Sequence, residues 1–238
     1  MDDAREQATL GAKGGKSSGN GTITLYVDII SPFGYMAYWL TRNSPAFESL
    51  SNSITYIPIH LGQLMQQAGN TAPVLIKNKK EWIGLERERW AKQFSIPMSD
   101  SMPVPFPQST VNTQRALCYI ASHHPASLVP AIDALYRAFW IESKTIGKVE
   151  VIEAVLEPVV GREKVKAVVE GVKSEGVKKM LAENTKKAFG DGAFGLPWFV
   201  ATNAQGKTEG FWGVDHIGQL LEHMGVEVQR EGGYRAML

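Results

Sequence analysis

Residues 22–30 form a nearly continuous apolar run, with Ile23, Leu25, Tyr26, Val27, Ile29 and Ile30, that stops at Ser31-Pro32. A run this short and this apolar predicts a strand buried on both faces, the kind found in sheets covered by helices on both sides. The next residues agree. Ser31 suits a helix N-cap and Pro32 the first helical position, so 33–41 reads as a helix. A second strand is predicted over 53–59, with Pro58 ending it. The chain therefore opens β-α-β, which requires parallel strands joined by a crossover helix.

The pattern then changes. Apolar spacing predicts helices over 82–94, 110–122, 130–141, 149–157, 162–169 and 177–189. Trp82 and Trp90 are read as core aromatics on a helix face. Pro103, Pro105 and Pro107 keep 99–107 extended. After Gly195 strands return, at 198–202 and 207–212, with turn chemistry between them that predicts a hairpin. A closing helix is predicted over 214–224, with Gly225 just past its end. Setting the helical block aside leaves β-α-β followed by β-β-α, the element order of a thioredoxin fold. The expected class is α/β, a thioredoxin-like fold with a large all-helical insertion. Its parts are an N-terminal arm over 1–21, a thioredoxin-like domain over 22–62 and 188–238, and an inserted helical domain over 63–187. No internal repeat interrupts this scheme.

Composition narrows the function. The formal net charge is +1 over 238 residues, which argues against nucleic-acid binding held by bulk charge. One cysteine, Cys118, excludes an internal disulfide and any Cys-x-x-Cys pair. It lies in the apolar run 115–121 and reads as a buried helix cysteine. His60, His123, His124, His216 and His223 show no ligand spacing, so no metal site is expected; His123-His124 reads as a helix end. No stretch has the apolar length of a membrane span. The first 22 residues lack a signal peptide's apolar core, and Asp2, Asp3 and Glu6 count against a transit peptide. Ala236-Met237-Leu238 departs from a peroxisomal address, whose middle position is basic. An intracellular protein is expected, its compartment open among mitochondrion, peroxisome and cytoplasm.

Three segments carry a resemblance. They are Asp28-Ile29-Ile30-Ser31-Pro32-Phe33-Gly34-Tyr35, then Gly69-Asn70-Thr71-Ala72-Pro73, then Gly192-Ala193-Phe194-Gly195-Leu196-Pro197 followed by Phe211-Trp212-Gly213-Val214-Asp215. In this order, around an inserted helical block, they are similar to the kappa-class glutathione transferases and the 2-hydroxychromene-2-carboxylate isomerases. Both are DsbA-like. The resemblance spans about residues 22 to 226. It implies glutathione as co-substrate, a small-molecule electrophile as its partner, a detoxifying transferase activity and a homodimer.

It also implies roles. Ser31 would donate a hydrogen bond to the glutathione thiolate, the nucleophile. Its residue-level reading is a helix cap, and one serine can do both. Pro32 and Phe33 flank it. Leu196-Pro197 is expected to be cis, with Leu196 offering its backbone as a strand edge to the cysteinyl part of the ligand. Asp215 would bind the α-ammonium of the γ-glutamyl group; alone it reads equally as a capping carboxylate. A serine is expected before that aspartate, and Val214 stands there, leaving only its N–H to serve. Asn70 would bond the peptide-like ligand; alone it is a turn asparagine. Lys79, or Lys77, would pair with the glycyl carboxylate.

The chain departs from the Ser-Pro-Tyr-Ser pattern at Phe33 and Gly34, which removes two hydroxyls. Trp198 is bulkier than the expected threonine and would line the acceptor site. Phe211-Trp212-Gly213 leans toward the isomerases. A third possibility is a peptide-gripping module without chemistry. A dithiol oxidoreductase is excluded, since position 31 is serine and no partner cysteine exists.

Overall fold

The computed structural model describes residues 21–226. The arm expected over 1–21 falls outside them except for Gly21, as does the C-terminal tripeptide. Strand β1 (Thr22–Val27) leads into helix α1 (Pro32–Asn43), and β2 (Ile54–Pro58) follows. Eight further helices are described: α2 (Leu61–Gln67), α3 (Lys79–Gln93), α4 (Val111–His123), α5 (Leu128–Tyr136), α6 (Val149–Val160), α7 (Arg162–Gly171), α8 (Glu175–Gly190) and α9 (Ile217–His223). Strands β3 (Trp198–Thr202) and β4 (Thr208–Trp212) lie between the last two.

The sheet order is β2-β1-β3-β4. β1 runs parallel to β2, with Leu25 opposite Tyr56, and antiparallel to β3, with Leu25 opposite Phe199. β3 and β4 form the expected hairpin, with Phe199 opposite Phe211.

Period-2 alternation sorts the strand side chains onto two faces. Ile23, Leu25, Val27, Phe199, Ala201 and Phe211 join the larger core with Met36 and Leu40 of α1 and Leu220 and Leu221 of α9. Tyr26 and Trp198 join a second cluster with Leu64 of α2 and Ala188 of α8. β1 is thus buried on both sides, as its composition requires.

Three differences from the sequence reading have local causes. β1 ends at Val27 rather than at Ile30, because the Asp28 carboxylate turns back to accept the Ile30 N–H at 3.2 Å. α2 has no side-chain cap of its own and is seven residues long, too short for a periodic signal. Trp82 is 54% exposed rather than core; Arg87 is the residue that α3 buries. Its guanidinium donates to the carbonyls of Ser99 and Asp100 at 2.6 and 2.7 Å, pinning the extended proline segment. Cys118 is buried, and burial pushes its thiol up to about 12. No helix among the described residues is long and apolar enough to cross a membrane.

Candidate functional site at the ends of β1, β3 and β4

The turn between β1 and α1 is built on Asp28, a fully buried carboxylate. Oδ1 accepts from the Ile30 N–H at 3.2 Å and the Gln114 amide at 2.7 Å. Oδ2 accepts from the Leu61 N–H at 2.8 Å. A buried carboxyl group needs hydrogen-bond partners, and three donors from three segments supply them. The Asp28 carbonyl receives the Ser31 N–H at 3.1 Å, and the Ile29 carbonyl receives the Trp140 indole N–H at 2.9 Å. Trp140 comes from a π-helical turn over Arg137–Ile141 that continues α5 and aims the indole at the turn. Asp28 and Gln114 are residues for which the sequence reading gave no role. The available signal was an acid ending an apolar run directly before Ser-Pro.

Ser31 caps α1, its Oγ accepting from the Gly34 N–H at 2.9 Å. That bond uses a lone pair and leaves the hydroxyl proton to donate outward. The residue retains 4% of its surface. It lies at the positive end of a 12-residue helix, where developing negative charge is stabilised. Pro32 fills the first helical position, and Phe33 packs half-buried on the larger core. A Cβ on Gly34 would meet Ser31 Cβ at 3.0 Å and Ser31 Oγ at 3.1 Å, so the glycine lets the cap close tightly.

The structure brings the other motifs to the neighbouring strand ends. The Leu196–Pro197 peptide is cis. Among the described residues, neither backbone group of Leu196 is bonded elsewhere. The Pro197 carbonyl accepts from the Gly213 N–H at 3.1 Å, which ties the 213–215 segment to the proline. Residues 214–216 form a 3₁₀ turn that lies against α1. Val214 is buried at 3% exposure, so its side chain serves the core, while Asp215 and His216 stay open to solvent.

The Asn70 amide donates to the Phe194 carbonyl at 2.9 Å, and its Oδ1 accepts the Thr71 N–H at 2.8 Å. Asn70 is therefore a turn residue that also moors the 69–73 segment to the loop carrying Leu196. Lys79 begins α3 with its side chain exposed, and the structure does not tie it to the proline loop. Trp198 faces the second core and edges onto Phe194 at 5.6 Å. Phe194 and Trp212, 38% and 45% exposed, sit 5.0 Å apart and form an aromatic wall beside Gly195.

The loop before the proline is fixed from below. Tyr26 of β1 donates to Asp191 Oδ2 at 2.5 Å, and Lys187 reaches the same oxygen at 2.7 Å. Burial, then the bond to Asp191 and its charge, hold the Tyr26 phenol above its ordinary range.

Comparison with known proteins gives the arrangement its relatives. The chain is similar to glutathione S-transferase kappa 1 of Caenorhabditis elegans, 27% identical over 210 residues that cover 82% of this chain and 87% of the relative. It is 25% identical over 208 residues to glutathione S-transferase kappa 1 of Homo sapiens, covering 85% and 90%. Its fold is similar to that of the solved structure of a 2-hydroxychromene-2-carboxylate isomerase, with a TM-score of 0.70 and 22% identity, covering 86% of this chain and 94% of the other. The model of the DSBA-like thioredoxin domain matches residues 22–225, and the chain belongs to that family.

Proposed function

We propose that the chain is a glutathione transferase in which Ser31 holds the glutathione thiolate for attack on a small electrophile. The carrying observation is the Ser31 hydroxyl, whose Oγ accepts from Gly34 N–H while its proton remains free at the start of α1. The names of the relatives, at 25–27% identity over most of the chain, supply the co-substrate. In this reading the backbone of Leu196 pairs with the cysteinyl residue, Asp215 takes the α-ammonium, and Asn70, Lys79 and the Val214 N–H make the remaining contacts. The thiol gives its proton to solvent. The thiolate then forms the carbon–sulfur bond as the leaving group departs with its electron pair.

A charge-assisted hydrogen bond contributes about 1.5–3 kcal/mol, so the bound thiol ionises between about pH 6.5 and 7.5, against about 8.5 for an ordinary thiol. Thiolate absorbance of bound glutathione across pH measures this. In Ser31→Ala the midpoint returns toward 8.5, and Ser31→Thr, which keeps a hydroxyl, preserves most of the effect. Binding with no lowered midpoint in the wild type would instead describe a peptide-holding module, and absence of binding would sink the proposal.

A second reading is an isomerase, toward which the Phe211-Trp212-Gly213 segment leans. Glutathione would there add to an unsaturated substrate and leave again. Stoichiometric consumption of glutathione separates the transferase from the isomerase, which regenerates it.

A further inference from the structure

We infer that a row of buried tyrosines beside Ser31 carries single electrons between the thiol site and the surface at Asp133, with Tyr38 as the residue that is oxidised. The inference takes its electron donor from the proposed glutathione site and adds a one-electron activity to it.

Tyr35 and Tyr38 of α1, Tyr136 at the end of α5 and Tyr56 of β2 are all buried. Their rings touch in the order Tyr35, Tyr136, Tyr38, Tyr56, with centroids 5.0, 5.2 and 4.9 Å apart, the spacing of packed aromatic pairs. The row begins at the site. A Cβ on Gly34 would lie 3.6 Å from the Tyr136 hydroxyl oxygen and 3.1 Å from Ser31 Oγ, so both hydroxyls border the space that a side chain there would fill. The row reaches the surface through Tyr38, whose hydroxyl donates to Asp133 Oδ1 at 2.7 Å. The Asp133 side chain is 49% exposed, and its Oδ2 faces Arg42 at 3.9 Å.

Protons cannot pass along this row, because its hydroxyls bond to separate partners and not to one another. Tyr35 donates to the Pro97 carbonyl at 2.8 Å, Tyr136 leans on the Asp28 carbonyl at 3.5 Å, and Tyr56 shares a bond of 2.9 Å with the Thr41 hydroxyl. Electrons can pass, because the rings are in contact. A phenol that loses an electron becomes strongly acidic, so the oxidised state settles where a base stands ready. Amide carbonyls and an alcohol do not take a proton at neutral pH, and a carboxylate does. Tyr38 is the member of the row bonded to one. A one-electron oxidant therefore takes an electron from Tyr38 as its proton moves to Asp133, leaving a tyrosyl radical and a neutral carboxyl. The thiolate at Ser31 then returns an electron through Tyr136. Tyr38 recovers its proton from Asp133, and the thiolate leaves as a thiyl radical that fresh glutathione replaces. The protein ends unchanged, and the exchangeable thiol carries the oxidation away.

The test is electron paramagnetic resonance of the full chain, freeze-quenched after a light flash with ruthenium tris(bipyridine) and persulfate as the one-electron oxidant. Wild type should show a tyrosyl radical, and Tyr38→Phe should lose most of it. Asp133→Asn keeps an acceptor for the Tyr38 hydroxyl but no base, and should lower the yield about tenfold, the factor carried by a charge-assisted bond over a neutral one. Added glutathione should quench the wild-type radical, and Tyr136→Phe, which keeps the ring and removes the phenol, should slow that quenching. Wild-type yields in both Tyr38→Phe and Asp133→Asn would show that the row only packs, and would overturn the inference. Equal quenching in Tyr136→Phe overturns it as well. Glutathione binding is read separately by calorimetry. If wild type does not bind glutathione, the proposed function fails and takes the electron donor with it. If wild type binds glutathione and its radical persists, only this inference fails.

Discussion

Asp28 is fully buried and accepts three N–H groups, whereas Asp215, across the same site, is more than half exposed and faces His216 Nδ1 over 3.4 Å. Around Asp28, every bond holds one part of the chain to another. Around Asp215 and Trp212, polar and aromatic surface is left open. The comparison separates two jobs. The socket behind Ser31 is preorganised by donors from distant segments, which fixes one hydroxyl at one helix end. The rim at 213–216 and 194–196 offers unspent contacts, which suits a region that must grip and release.

The largest test of that contrast is a pair of truncations. Asp28→Ala strips three donors of their acceptor and should cost about 3–5 kcal/mol by denaturant unfolding, while Asp215→Ala should stay within about 0.5 kcal/mol. Similar costs at the two positions would erase the distinction.

Tyr26→Phe comes next, at about 1–2 kcal/mol, because it removes a hydrogen bond to a charged group under the proline loop. Its pH dependence has a definite sign. The folded phenol is held above its ordinary range by burial and then by Asp191, while the unfolded phenol ionises near 10. Its contribution is complete below pH about 10 and is lost as pH rises further. Tyr35, pushed up to about 12 mainly by burial, adds to the same alkaline decline. Tyr26→Phe should therefore flatten the fall in stability above pH 10; an unchanged slope would remove Tyr26 from the account.

Asn70→Ala is the smallest. It is exposed, so unfolding should change by about 0.5 kcal/mol or less, while glutathione affinity drops a few-fold as the 69–73 segment loses its mooring to Phe194. A loss of several kcal/mol in stability would move Asn70 from the rim to the socket.

What was legible in the sequence was whatever a local pattern writes. The apolar run, Ser31-Pro32 and the 198–212 hairpin each announce themselves within a dozen residues. The three motif segments were readable as one group: the Asn70 bond to Phe194 draws the second and third together, and Gly213 N–H to Pro197 joins the two halves of the third. Asp28 escaped because its partners stand far off in the chain: Leu61 is 33 residues away and Gln114 is 86. α2 escaped for the same reason, since the acceptor at its first N–H is Asp28 rather than a neighbour. Trp82 misled because an aromatic at helical spacing looks the same whether its face meets a core or solvent.

The pairing of β1 with β3, with Thr22 opposite Thr202, joins strands that lie on either side of the helical block. Contacts of such sequence separation form late, because loop closure must come before they return any stability. During synthesis Ser31 and its helix emerge before β3, so β1 beside them still lacks one neighbour. A nascent chain halted at residue 190 would carry the serine, both parallel strands and most of the helices. It would also expose one whole edge of β1, open to pairing with another chain. Completion of the site is therefore coupled to closure of the sheet, and β3, made after the helical block, is the strand that covers the open edge of β1.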